Sequence, residues 1–281
     1  MNKIELGKKN VLRAAWRVDF GMYLEGKGYD GKILLPERYV PADLEVGDDI
    51  EVFLYLDNEE RLIATTLEPK AMVGDFAYLE CVDINQFGAF LDWGLMKQLF
   101  CPFREQKRRM EVGKKYIVHV HIDEDSYRIM ASAKVEKWLD APTPEAPCVD
   151  DEVDLLIWQK TDLGFKVIID NRFAGLIYDS QIFQHLHSGD HVKGYVTLVR
   201  PDGKIDCALQ RAGRQHTEDF SERLLNYLKA RGGRCWLGDK SSAEDIKSQF
   251  GVSKRTYKQA IGNLYKRKLI TITDNGIELI G

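Results

Sequence analysis

Phe87 and Phe90, three positions apart around Gly88-Ala89, are the side chains in this sequence best suited to meet a flat partner. Rings displayed on a sheet stack on nucleobases, and each such contact contributes ~1–3 kcal/mol in single-stranded nucleic acid binding. In a regular strand, residues three apart face opposite sides, so both rings share a surface only if the chain bulges or coils at Gly88. Two readings of the pair stand: a stacking platform on a kinked strand, or two rings of the core.

Other candidate groups point to less chemistry. His119 and His121 alternate on one strand face, yet no nearby acid or cysteine completes a ligand set, so neither a metal nor another cofactor is expected. His185, His187 and His191 flank a turn and are expected in solvent. The run Gly26-Lys27-Gly28-Tyr29-Asp30-Gly31-Lys32 approaches a phosphate-binding loop, but it joins two expected strands, and Ile33 stands where that loop needs Ser or Thr. No paired acids and no nucleophile motif argue for catalysis, so the chain is read as a non-enzyme. Its five cysteines are odd in number, scattered and free of metal-type pairs, which suits a reducing compartment. No apolar run approaches ~18 residues and the first residues lack a secretory core, so a cytoplasmic location is expected.

The rings need a scaffold, and the sequence supplies one three times. Asp19-Phe20-Gly21-Met22-Tyr23-Leu24, Gln86-Phe87-Gly88-Ala89-Phe90-Leu91 and Asp162-Leu163-Gly164-Phe165-Lys166-Val167 align, their glycines 67 and 76 residues apart. Each is followed by a second strand (Ile33-Leu34-Leu35-Pro36, Leu99-Phe100-Cys101-Pro102, Leu176-Ile177-Tyr178-Asp179) and then by a glycine turn at Gly47, Gly113 or Gly189. A period of this size is a small domain rather than a solenoid unit. The expected architecture is mainly β with a small α+β C-terminal domain: three tandem five-stranded barrels of the oligonucleotide-binding (OB) fold, then a winged helix-turn-helix. The expected ranges are 1–70, 71–140 and 149–214 for the barrels, 141–148 for a proline-rich linker and 215–281 for the winged helix. Strands of the first copy are expected at 10–18, 21–25, 31–35, 49–55 and 62–66, with a short hinge at Glu68-Pro69-Lys70 before the second copy.

Charge is uneven. The first and third copies are net acidic, the middle copy is balanced and the tail is net basic, within an overall formal charge of −4. Phosphate neutralisation wants a basic face, which favours the middle copy and the tail. The run Arg104 to Arg109 beside the middle copy's open face reads equally as a phosphate contact and as a solvated turn.

From Thr217 the periodicity becomes helical. Phe220, Leu224 and Leu228 mark a first helix, Ser241 or Ser242 caps a second, and Tyr257, Ala260, Ile261, Leu264 and Tyr265 form the apolar stripe of a third. The charges of that third helix region, Lys254, Arg255, Lys258, Lys266, Arg267 and Lys268, are all positive, and a hairpin about Asn275-Gly276 follows. A winged helix takes DNA or protein partners, so Lys254, Arg255, Lys258 and Lys266 are assigned to contact one or the other.

On these residues the three copies resemble the RNA-binding domain first described in ribosomal protein S-one, with Phe87 to Phe90 the most recognisable signature. The four-domain order, with the tail runs Asp239 to Lys247 and Gly251 to Gly262, resembles the conserved virulence factor B family of bacteria. The resemblance implies a non-enzymatic regulator of gene expression that binds single-stranded RNA with mild sequence preference. It also implies a working surface of two strand-two aromatics, a strand-three histidine, and an Asp and Arg about the last turn. The first copy offers Phe20, Tyr23, Asp57 and Arg61, with Leu35 at the histidine position. The middle copy offers Phe87, Phe90, Asp123 and Arg128, with Cys101 there. The third offers Lys166, Tyr178, Arg200 and Lys204, and departs from the pattern at both aromatics and at the acid. The middle copy is the first choice for base stacking.

Overall fold

Each repeat opens with a long strand, apolar on its inward positions, that forms the spine of a barrel. In the computed structural model the first barrel comprises β1 (Lys9–Val18), β2 (Gly21–Glu25), β3 (Ile33–Pro36), β4 (Asp49–Leu56) and β5 (Leu62–Thr65). The second comprises β6 (Phe76–Ile84), β7 (Gly88–Asp92), β8 (Leu99–Pro102), β9 (Lys115–Ile122) and β10 (Ile129–Ser132). The third comprises β11 (Glu152–Thr161), β12 (Gly164–Ile169), β13 (Phe173–Tyr178), β14 (His191–Val199) and β15 (Ile205–Ala208). All three close in one order, β1-β2-β3-β5-β4 in the first, with the third and fifth strands parallel. The structure describes residues 4–26, 28–141, 143, 146–211, 214–252, 254–273 and 276–280, the side chains of 214–219 apart. Lys27 of the glycine-rich run, Pro142, Pro144 and Glu145 of the expected linker, Ser253, and Asn275 of the expected hairpin turn lie outside it.

The bend that closes each barrel is not at the strand-two glycine. It lies in the first strand, where the register slips between Ala14 and Trp16, between Cys81 and Asp83, and between Ile157 and Gln159. One extra residue bends and twists the strand, so it can pair with two neighbours along its length. The residue before each slip is pinned by the turn glycine of its repeat: Gly47 N–H donates to Ala14 O, Gly113 to Cys81 O and Gly189 to Ile157 O, each at 2.8 Å. The strand-two glycine answers a different need. A Cβ at Gly88 would sit 2.4 Å from the Cys101 carbonyl oxygen, at Gly21 2.2 Å from that of Leu35, and at Gly164 1.9 Å from that of Ile177. Backbone packs there too closely for any side chain.

The chain divides into two units, Met1–Leu139 and Asp140–Gly281. Within the first, two barrels share one core: Phe53 and Tyr55 of β4 join the buried cluster of Leu79, Leu91, Trp93 and Val118. Trp93 meets Phe53 edge-on with ring centroids 5.7 Å apart. The expected hinge is therefore tied down. Glu68 accepts from Lys9 Nζ at 2.6 Å, the Lys70 amide donates to Trp93 O at 2.8 Å, and the Lys70 side chain pairs with Asp92.

In the second unit, Asp140 bridges to Phe173, and its carboxylate accepts from Arg172 Nε at 2.8 Å, which attaches it to the third barrel. The tail holds α1 (Arg214–Ala230), β16 (Arg234–Cys235), α2 (Ala243–Phe250), α3 (Lys254–Lys266), β17 (Ile270–Thr273) and β18 (Gly276–Leu279). Ser242 is the cap of α2, its Oγ accepting the Asp245 amide at 3.0 Å. Tyr257, Ala260, Ile261 and Leu264 of α3 are buried as expected, whereas Tyr265 is 54% exposed and leaves the stripe. The hairpin gains a third strand that periodicity did not reveal, two-residue β16, in the order β16-β18-β17.

Because Trp93 is 2% exposed and lies between two barrels, Trp93→Ala should destabilise both together, by about 3–5 kcal/mol. Hydrogen exchange on the full chain reads this directly. Protection lost in the second barrel alone would show that the shared core does not couple them.

Candidate nucleic-acid interface

Strand β7 begins at Gly88, so Phe87 stands in the turn before it. Asn85 Oδ1 builds that turn by accepting the amides of Phe87 at 2.8 Å and Gly88 at 3.1 Å. The ring is left 64% exposed. Phe90, half-buried in the strand, lies opposite Phe100 of β8, ring centroids 5.2 Å apart. The rings thus reach one side because the turn projects Phe87, and no kink at Gly88 is required. Phe87, Phe90 and Phe100 line a cleft of about 590 Å³ together with Tyr55, Trp93, Lys97 and Arg128.

Phe100 is missing from the sequence-based set because strand three was read one residue out of register. Leu35 and Cys101, placed at the histidine position, are fully buried and point into their barrels. Burial pushes the Cys101 thiol up to about 12. The outward residues are Leu34 and Phe100, which pair with Tyr23 and Phe90 across the sheet. Strict alternation from inward Leu99 would have identified Phe100.

Arg128 lines the cleft and pairs with Glu60 of the β4–β5 turn, both groups about half exposed. Exposed pairs of this kind contribute about 0–1 kcal/mol, so a phosphate can take Glu60's place at little cost. Asp123 does not line this cleft. The Ser126 amide and hydroxyl, with Arg104 at 2.6 Å, hold its carboxyl below the usual carboxylate range. Arg104 of the basic run is thus committed to an acid of its own barrel.

The first barrel carries a second aromatic group. Phe20 is 57% exposed and meets Tyr23 edge-on at 6.2 Å, while Trp16, at the register slip, adds a ring 5.1 Å from Tyr23. Lys32 Nζ stands 4.8 Å over Trp16. Arg61 donates from Nε to Asp57 at 2.8 Å. Although burial opposes it, that guanidinium holds Asp57 below the usual carboxylate range.

The third barrel has its cations engaged. Arg200 grips Asp206 at 2.9 Å and also bonds Tyr178, Lys204 pairs with Asp202 at 2.7 Å, and Lys166 Nζ lies 5.1 Å over Trp158. Leu163, at the position of the first ring, is 62% exposed. In the tail, Arg255, Lys258 and Lys266 are exposed and Lys254 is half-buried; Lys258 pairs with Asp239 at 2.9 Å.

His119 and His121 were expected to share a face, and they do, but that face is covered. Trp138 lies across both imidazoles with centroids 4.5 and 4.3 Å away. Both Nδ1 atoms are buried without a partner among the described residues. Burial, with His121 alongside, pushes His119 down to about 4, and burial also lowers His121 despite Glu105 and Asp123 nearby. No group of three or more His, Cys, Asp or Glu suited to a metal occurs among the described residues. Likewise, no helix among them is long and apolar enough to cross a membrane.

Comparison with known proteins gives the fold a lineage. Residues 6–67, the first barrel, match the S1 domain, and residues 222–279 match the CvfB-like winged helix domain. YitL of Bacillus subtilis, described as uncharacterized, is 28% identical over 269 residues, which cover 92% of this chain and 89% of that one. Conserved virulence factor B of Staphylococcus aureus is 23% identical over 258 residues, covering 90% and 86%. The protein of the same name from Staphylococcus saprophyticus is 21% identical over 243 residues, covering 84% and 81%. A solved structure described as a multidomain protein with nucleic acid binding domains, from Streptococcus pneumoniae, is 23% identical and covers 98% of both chains at a TM-score of 0.42. An S1 barrel and a winged helix are both nucleic-acid-binding modules.

The histidine pair sets an acid limit on this barrel. The unfolded chain binds a proton at each histidine near pH 6.5, whereas folded His119 resists until about 4, so stability present above about 6.5 falls as pH drops toward 4. Urea midpoints of the wild type measured from pH 7 to 4.5 should decline through that window, and His119→Gln should flatten the decline. An identical slope in the variant would assign the acid sensitivity to other groups.

Proposed function

Since this chain is a homologue of the proteins named conserved virulence factor B, with an S1 domain at its start and a CvfB-like winged helix at its end, we propose that it is an RNA-binding regulator acting on gene expression after transcription. The observation that carries this reading is the meeting of Phe87, Phe90, Phe100 and Arg128, all from the middle barrel, along one cleft. Stacking rings take unpaired bases, whose faces a duplex keeps hidden, and the nearby guanidinium meets a phosphate. The exposed rings Phe20 and Phe87 both precede a strand-two glycine, so the first barrel offers a second stacking surface of the same kind. Net acidity of the first and third copies limits non-specific attraction, and the salt dependence of binding should be correspondingly shallow.

A second reading has one observation in its favour. Arg255 and Lys266 are exposed on α3, whose buried face carries Tyr257 and Leu264, and such a helix enters a DNA groove or meets an acidic protein surface.

Fluorescence anisotropy with matched single-stranded RNA, single-stranded DNA and duplex DNA, at two salt concentrations, separates the two. Single-stranded RNA should bind best, and the double variant Phe87→Ala/Phe90→Ala should lose about 2–5 kcal/mol of that binding. Phe87→Ala alone should change stability by no more than about 0.5 kcal/mol, since the ring is largely in solvent. A preference for duplex DNA that vanishes with Arg255→Ala and survives loss of the rings would overturn the RNA reading.

A further inference from the structure

The cleft beside Phe87 and Phe90 is not a property of one barrel. One wall comes from β4 and the turn after it, with Tyr55, Asn58 and Glu60; the other comes from the second barrel, with Phe87, Phe90 and Phe100. We propose that this seam is a composite site for a single unpaired nucleotide, in which the second barrel stacks the base and the first barrel reads its edge. The proposal rests on the RNA-binding reading and adds selectivity to it.

The walls are held in place before any ligand arrives. Trp93 Nε1 donates to Lys97 O at 2.6 Å, and Lys97 Nζ donates to Asp57 O at 2.7 Å, so the loop after β7 is fastened to the β4–β5 turn. Tyr55 and Trp93, in the shared core, form the floor. A volume of about 590 Å³ is of the order of small-molecule sites, roughly 300–1,000 Å³. A site assembled in advance loses little affinity to ordering.

The lining has the chemistry of a base reader. Asn58, Asn85 and Gln98 bring three carboxamides to it, and a carboxamide pairs an acceptor with donors at the spacing found on nucleobase edges. Asn85 Oδ1 is already taken by two backbone amides, which leaves its Nδ2 as a donor. The side chains of Asn58 and Gln98 are exposed to solvent. Cations are placed for the phosphate. The half-buried ammonium of Lys97 bonds the Asp57 carbonyl; burial lowers its pKa although the Asp57 carboxylate opposes this, and an anion docking beside it would restore the charged form. Arg128, weakly paired to Glu60, lies on the same lining.

The test uses the full chain with labelled pentamers of rA, rC, rG and rU, and with the four nucleoside 5′-monophosphates as competitors. One base should be preferred. Asn58→Ala, remote from the rings in sequence and on the other barrel, should weaken binding of the preferred pentamer about tenfold and bring the four toward equality. Combined with Phe90→Ala, its effect should fall short of the product of the single effects, because both act on one base. Lys97→Gln should weaken all four pentamers alike, with a thermal melt checking that the fastening of the loop persists. Competition by a monophosphate at concentrations comparable to the pentamer would support the site with free nucleotide as its source; a requirement for the pentamer would support it with RNA. If Asn58→Ala and Lys97→Gln bind as the wild type does while Phe87→Ala/Phe90→Ala does not, the composite site is wrong and the RNA reading stands. If the ring variant also binds normally, both are wrong.

Discussion

One hydrogen bond recurs at the point on which each barrel depends. A turn glycine donates to the last residue before the first strand's register slip, at 2.8 Å in all three copies. Without the slip, a strand of nine or ten residues would continue straight and could not serve both its hairpin partner and the fourth strand. With it, the strand curls, the sheet closes, and the second and third strands are left presenting one face outward. The stacking candidates Phe87, Phe90 and Phe100 lie on that face or at its margin. The turn glycine has φ of 103° at Gly47, 83° at Gly113 and 96° at Gly189, a region side chains rarely occupy. This explains why the copies can differ at nearly every surface position and still keep this glycine.

The second constraint is the shared core of the first two barrels. Phe53, Tyr55 and Trp93 replace what would be a solvent gap with packed rings, and the chain between the barrels is fastened by Lys9, Lys70 and Asp92. A seam of this kind holds the second barrel's rings and the first barrel's β4–β5 turn in one fixed geometry. Stacking alone is tolerant of sequence, because every base offers the same kind of face. Discrimination needs polar groups at a set distance from the rings, and only a rigid neighbour can hold them there.

Much of the fold was legible in the residues, and the reasons are local. Strand ends followed from polar turns, the start of α2 from Ser241-Ser242 and an acid three residues on, and the barrel count from the repeated glycines. What escaped was non-local. The bend was assigned to Gly88 because glycine signals freedom, whereas the glycine is required by a carbonyl 2.4 Å from where a Cβ would be, on a strand eleven or more residues away. The slip itself falls at Ala15, Val82 and Trp158, three apolar residues that carry no turn or bulge signal. The strand-three position was misread by one residue, and in a strand that exchanges inside for outside: Cys101 faces the core and Phe100 the cleft. Glu60, Asn58 and Lys97 gave no signal, because they meet at a seam between copies that no single repeat encodes.

The distribution of ion pairs ties these points to function. In the described residues, Arg61, Arg104, Arg128, Lys204 and Arg200 all face acids of the chain itself. A surface so neutralised has little long-range pull on a polyanion, which fits the net negative charge of −4. It still offers short-range exchange, since a phosphate oxygen can replace an exposed carboxylate at a cost of about 0–1 kcal/mol. On the proposed reading, affinity would rest more on rings and shape than on charge. A uniformly basic barrel would bind the backbone first and leave the rings little to decide.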